Sequence, residues 1–146
     1  MGNEDNVLRK IRIGQLQGGA VTTGSLESVY GDIAIYGLPF LFDTLQQVDR
    51  AREQLDDDLI AGLEKKGFVS FGLAEGGFSY MMSASRLDTV DKVKQQKLWI
   101  PSGNRVGEVV FKHAGISPVP LPLSDVMTGL QTGLIDGLPS TPLAAL

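Results

Sequence analysis

The sequence contains no cysteine, one histidine and one tryptophan in 146 residues. Without cysteine there is no disulfide, no thiolate metal site and no cysteine nucleophile, and the redox compartment is left open. Basic residues are in the minority, 13 against 17 acidic, for a net charge of -4, which argues against a nucleic-acid or anionic-membrane surface. No apolar run approaches the roughly 20 residues that a membrane-spanning helix needs. The first residues, Met1 to Asp5, are polar and acidic, unlike the basic and then apolar start of a signal peptide. On that reading the chain would stay in the cytoplasm if made as it stands.

What remains is ordinary globular material. Hydrophobic residues make up 42% and charged residues 21% of the chain, enough apolar content for a core. Apolar residues recur at helical spacing in 5–13, where Asn3 or Asp5 would cap and Gly14 would stop the helix. Thr44 to Gln47 is a capping-box pattern opening a helix through Leu55, Leu59 and Leu63, which Asp56, Asp57 and Asp58 are expected to break in two. Further helices are predicted over 104–114 and from Ser124 onward. Short apolar runs at 33–42, 68–73, 77–83, 97–100 and 118–123 read as strands or extended segments. Helices alternating with strands make the fold class α/β.

Little here supports catalysis. His113 lies in the last turn of a predicted helix, where the dipole favours positive charge, and reads as a solvated helix-end residue. Gly103 to Gly107 lacks the Lys-Ser/Thr ending of a phosphate loop. Asp56 to Asp58 point about 100° apart on a helix and cannot converge on a metal. No cofactor or metal is expected, and an enzyme reading would rest on His113 alone. Binding has more to offer. In an open α/β sheet, ligands lie beyond the carboxyl ends of the strands. Trp99 closes a predicted strand immediately before Pro101, Ser102, Asn104 and Arg105, so that turn offers an aromatic face, polar groups and a cation. The competing reading, equally weighted, packs Trp99 in the core.

Three stretches carry a family resemblance. They are Leu38-Pro39-Phe40-Leu41-Phe42, the run from Asp88 to Pro101 ending Lys97-Leu98-Trp99-Ile100-Pro101, and the run from Pro120 to Gly137 with Ser124-Asp125-Val126 and Leu130-Gln131-Thr132-Gly133. In order and spacing they resemble the solute-binding proteins of tripartite ATP-independent periplasmic (TRAP) transporters, similar to the C4-dicarboxylate and sialic-acid binders. The resemblance implies a partial periplasmic-binding-protein type II architecture, an incomplete two-lobe fold. Residues 1–83 would be part of lobe one with a connecting strand, and 84–146 part of lobe two. It further implies binding of a small organic solute, a membrane permease as partner and a periplasmic location. The alternative is an orphan structural or interaction protein that keeps the fold pieces and oligomerises.

The resemblance also exposes departures. Where the family typically has a carboxylate-binding arginine this sequence has Trp99; its phenylalanine before Ser-Glu is matched by Leu123, and its asparagine after Asp-Gly at best by Ser140. The candidate ligand-binding set is therefore Trp99, Ser102, Asn104, Arg105, Tyr80, Leu123 and Ser140. Arg105 would supply an anion contact from a shifted position, and changing Trp99 to arginine is expected to raise affinity for a small carboxylate. The family chain is about twice this long. The missing cover is expected to leave apolar strands that drive formation of a homodimer or larger assembly.

Overall fold

The computed structural model describes residues 4–143. The chain divides into two compact units between Glu75 and Gly76.

The first unit is helical. Helix α1 (Glu4–Arg12) carries Leu8 as its buried residue and is stopped by Gly14, whose φ of 75° suits a residue without Cβ. Asp5 lies within this helix rather than capping it, and Asn3 is outside the described residues. The Glu4 carboxylate reaches the next element, accepting from the Thr22 backbone N–H at 3.2 Å and from the Thr22 and Ser25 hydroxyls. It thus places negative charge at the start of α2 (Thr23–Leu26). Helix α3 (Leu45–Lys65) runs unbroken through Asp56, Asp57 and Asp58, contrary to the expected break. The physical reason lies in its partners and its length. Asp56 accepts from the Arg52 Nε one turn earlier at 3.0 Å and from the Tyr36 hydroxyl at 2.6 Å, and Asp57 and Asp58 are solvated.

The capping box is half realised. The Thr44 hydroxyl accepts from the Gln47 N–H at 3.3 Å, but the Gln47 amide oxygen turns to the Asp43 N–H at 2.7 Å rather than to that of Thr44. The apolar run expected as a strand at 33–42 is a 3-10 helix over Gly31–Gly37 followed by turns. The run at 68–73 forms no strand either. Strands need a partner, and among the described residues this unit has none to offer. Its core is instead Ile33, Leu59 and Leu63, with Leu26, Tyr30, Leu55 and Phe68 packed around them. Each fully buried aliphatic side chain stabilises by roughly 1.5–3 kcal/mol.

The second unit is α/β. Strand β1 (Tyr80–Ser83) pairs antiparallel with β4 (Gly137–Ser140), in the register Tyr80 opposite Ser140 and Ser83 opposite Gly137. Strands β2 (Trp99–Pro101) and β3 (Val119–Leu121) pair in parallel, Trp99 opposite Val119 and Pro101 opposite Leu121. A parallel bridge from Leu98 to Gly137 links the two pairs, so the strands lie in the order β3, β2, β4, β1. Pro101 is the last residue of β2, and β4 carries no strand signal in the sequence. Glycine is required at 137, because a Cβ there would come within 2.7 Å of the Met82 carbonyl.

Between the strands run α4 (Val90–Lys94), α5 (Arg105–His113), a 3-10 turn at Leu123–Asp125 and α6 (Val126–Gln131). Ser124 and Asp125 therefore sit in the 3-10 turn that leads into α6. Buried Ile100, Leu98, Ile116 and Ile135 are apolar positions of the strands and loops that cross the unit's interior. No helix among the described residues is long and apolar enough to cross a membrane.

Candidate functional site

The strand directions decide what can meet. Strands β2, β3 and β4 run the same way, so their carboxyl ends share one edge of the sheet. Strand β1 runs opposite and begins at that edge, because Tyr80 is in register with Ser140. Ser102, Asn104 and Arg105 follow β2 there, and Leu123 follows β3. The register therefore gathers Tyr80, Ser102, Asn104, Arg105, Leu123 and Ser140 along a single edge, where ligands of open α/β sheets bind.

Local chemistry fixes the turn after β2. Gly103 has a φ of 84° and turns the chain. The Asn104 side-chain oxygen accepts from the Gly107 N–H at 2.7 Å and so caps α5. The Ser102 N–H donates to the Leu121 carbonyl at 3.2 Å, holding the turn against the end of β3. The Asn104 side-chain oxygen is thus already committed as the cap of α5. Tyr80 and Leu123 are 59% and 62% exposed, so apolar and phenolic surface is open at this edge. The Ser140 hydroxyl donates to the Thr141 carbonyl at 3.3 Å.

Trp99 stands apart from this set. It is 6% exposed and forms a core cluster with Val126 and Ile135, with Val119, Leu121 and Leu138 against it. Its indole N–H donates to the Leu121 carbonyl at 2.9 Å, so its one polar group is used inside the sheet. Trp99 braces β2 against β3. An arginine in its place would have to bury a guanidinium in that cluster, which reverses the expected benefit of such a change.

Charge is unevenly spread around the sheet. At the opposite edge Lys97 donates to the Gly133 carbonyl at 2.7 Å, and its N–H donates to the Asp136 carboxylate at 3.1 Å. Ser83, Ser85 and Gln96 join that network through hydroxyl and amide contacts. Among the described residues, the charged groups at the carboxyl edge are Arg105, Glu108 in the first turn of α5, and Asp125. Glu108 and Asp125 were not among the candidates from sequence; their place just after strand ends is the signal that could have found them. His113 lies at the far end of α5, its Nδ1 2.9 Å from the Val109 carbonyl, which as an acceptor fixes the proton on that nitrogen. Among the described residues no group of three His, Asp or Glu side chains is placed to hold a metal ion. In the first unit a groove of about 680 Å³ runs beside α3, lined by Tyr30, Asp32, Leu55 and Asp58 among others, and none of the candidate residues lines it.

The family model described as bacterial extracellular solute-binding protein, family 7, matches residues 1–145. The chain belongs to this family. Family 7 comprises solute-binding transport proteins rather than enzymes, and includes the TRAP solute-binding proteins. The chain is 27% identical over 139 residues to the C4-dicarboxylate-binding periplasmic protein DctP of Shewanella loihica, covering 94% of this chain and 41% of that protein. It is 28% identical over 138 residues to the 2,3-diketo-L-gulonate-binding periplasmic protein YiaO of Escherichia coli, covering 93% and 42%. Among solved structures, a TRAP periplasmic solute-binding protein of Haemophilus influenzae with bound L-gulonate superposes with a TM-score of 0.84 at 26% identity. That superposition covers 95% of this chain and 45% of the other. The chain thus spans somewhat under half the length of these family 7 relatives, and its fold is the corresponding part of a type II periplasmic-binding-protein architecture.

Proposed function

We propose that this family 7 chain is the solute-binding part, or a truncated remnant, of a TRAP-type transport system, and that it takes a small organic acid at the carboxyl edge of its second unit. The observation that carries this reading is the strand register, which brings Tyr80, Ser102, Asn104, Arg105, Leu123 and Ser140 to that edge. Trp99 serves the site from within, by fixing the β2–β3 pairing from which the Ser102 to Arg105 turn departs. The two units are read as portions of two lobes, with the strand around 78–83 as the connection. The relatives named for a C4-dicarboxylate and for a sugar acid support an organic acid as ligand. Delivery to a membrane permease and a periplasmic location come with the same reading.

The test is titration of the purified chain with a panel of organic acids, amines and amino acids, read by calorimetry and by melting temperature. Saturable binding by an organic acid is the expected result. A panel without heat or shift would favour the second reading, an interaction protein that keeps the fold and has lost solute binding. Assembly is part of the proposal as well: Phe40, Phe71, Leu123 and Met127 are 98%, 104%, 62% and 65% exposed, more large apolar surface than a soluble monomer usually shows. A homodimer or larger assembly is expected by light scattering, and a monomer at micromolar concentration would refute it.

A further inference from the structure

Resting on the organic-acid reading of the sheet's carboxyl edge, we infer that Arg105 is the one cation this edge provides among the described residues, and that the site therefore selects hydroxylated monocarboxylates over dicarboxylates. The argument is topological. The described basic side chains of the second unit are Arg86, Lys92, Lys94, Lys97, Arg105 and Lys112, with His113. Arg86 follows the end of β1, which lies at the opposite edge, and it pairs with Asp88 at 3.3 Å. Lys92 also pairs with Asp88, at 2.6 Å, and with Lys94 belongs to α4, which leads into the start of β2. Lys97 is engaged with Gly133 at that same far edge. Lys112 and His113 end α5, about two turns from its start. Among these, only Arg105 follows a strand that ends at the carboxyl edge shared by β2, β3 and β4.

Arg105 is also uncommitted. It is exposed, and among the described residues its guanidinium has no carboxylate within 4.0 Å. A planar fork left free at the same sheet edge as the Ser102 and Ser140 hydroxyls matches a ligand with one carboxylate and several hydroxyls. A second carboxylate on the ligand would find no further cation among the described residues of this edge, which also carries the negative charges of Glu108 and Asp125. That arrangement disfavours succinate and leaves room for a sugar acid, whose remaining groups are neutral hydroxyls.

Calorimetry with L-gulonate and with succinate, on the wild-type chain and on Arg105→Ala, Arg105→Lys and Asp125→Asn, tests this. Wild type is expected to bind gulonate at least about 10-fold tighter than succinate. Arg105→Ala should lose about 10- to 100-fold in gulonate affinity with an unchanged melting temperature, Arg105 being exposed, and Arg105→Lys should lose less. Asp125→Asn should improve succinate more than gulonate. Gulonate binding that survives Arg105→Ala undiminished overturns the inference while leaving the organic-acid reading intact. Equal affinity for succinate and gulonate overturns the selectivity. If neither probe nor any other organic acid binds wild type, the parent reading falls and takes this one with it.

Discussion

Every strand of the unit 76–143 is paired from within that unit, whereas residues 4–75 form no strand among the described residues, although they hold the more continuous apolar runs. Ile33–Phe42 has the composition of a buried strand and becomes a 3-10 helix with turns. Val119–Leu121, flanked by Pro118 and Pro122 and containing Pro120, looks a poorer strand and is one. The difference is the neighbour. Strand preference measures how well side chains pack on a sheet already present. β3 meets β2 in register and receives the Trp99 indole N–H on its last carbonyl. Ile33 meets the side of α3 and packs on Leu59 and Leu63.

The largest expected effect comes from attacking the brace of the sheet-bearing unit. Trp99→Arg should destabilise by about 3–5 kcal/mol through lost packing alone, before any cost of burying an unpaired cation. Denaturant unfolding checks this, and Trp99→Phe should recover most of the packing but not the bond to Leu121. A stable, fully folded Trp99→Arg chain would show that the aromatic cluster with Val126 and Ile135 is dispensable.

Next in size are paired truncations that test whether each unit owns its core. Leu63→Ala and Ile100→Ala each remove a side chain that is at most 2% exposed, and each should cost about 2–5 kcal/mol. Hydrogen exchange should localise the loss, to residues 4–75 for Leu63→Ala and to 76–143 for Ile100→Ala. Equal loss throughout from either change would dissolve the distinction between the units. Gly62→Ala belongs with them, since a Cβ there would lie 2.2 Å from the Tyr30 ring.

A smaller effect follows from the polar contacts that replace strand pairing in the first unit. Tyr36 donates to Asp56, Asp56 accepts from Arg52, and Arg52 donates to the Leu73 carbonyl at 2.5 Å, tying the 3-10 helix, α3 and the 68–73 segment together. Burial, and then the bond to Asp56, push the Tyr36 phenol well above its ordinary range. A group whose folded-state value is raised contributes stability that is intact below its unfolded value, about 10, and lost as pH rises beyond it. Stability should therefore fall in alkali above about pH 10. Tyr36→Phe should cost about 0.5–1.5 kcal/mol at neutral pH and flatten that alkaline slope. Some slope should remain from Tyr30, raised by its bond to Asp32. An unchanged slope in Tyr36→Phe would mean the phenol is not held in this way.

How legible all this was depends on the range of the interactions. Local signals were readable: the Thr44 cap, the stops at Gly14, Gly67 and Gly115 with positive φ, and the helical spacing of Leu55, Leu59 and Leu63. The family was readable from three motifs because it is carried by runs of adjacent residues. The edge that gathers the candidate site was readable only in part. Ser102 to Arg105 adjoin a strand end in sequence, but Tyr80 meets Ser140 through a register between residues 60 positions apart. Trp99 was undecidable because an indole next to a polar turn suits a ligand platform and a core brace equally, and only the position of the Leu121 carbonyl chooses between them. The Asp56 break failed because its partner Tyr36 comes from another element.

The smallest expected effect is at Phe40, where the first unit shows its lack of a partner most plainly. Phe40 has a φ of 62° and is 98% exposed, the one described non-glycine residue with positive φ. The left-handed conformation costs an ordinary residue about 1–2 kcal/mol, and asparagine tolerates it better. A side chain that buries nothing in its own chain cannot offset that cost. In an isolated chain Phe40→Asn should therefore leave stability unchanged or raise it by up to about 1 kcal/mol. If Phe40 is covered by a second copy, the outcome has the opposite sign: the variant should lower the melting temperature in a concentration-dependent way and shift light scattering toward monomer. Melting curves at two protein concentrations separate the two. A gain independent of concentration would show that the exposed aromatic of the first unit contributes nothing to assembly.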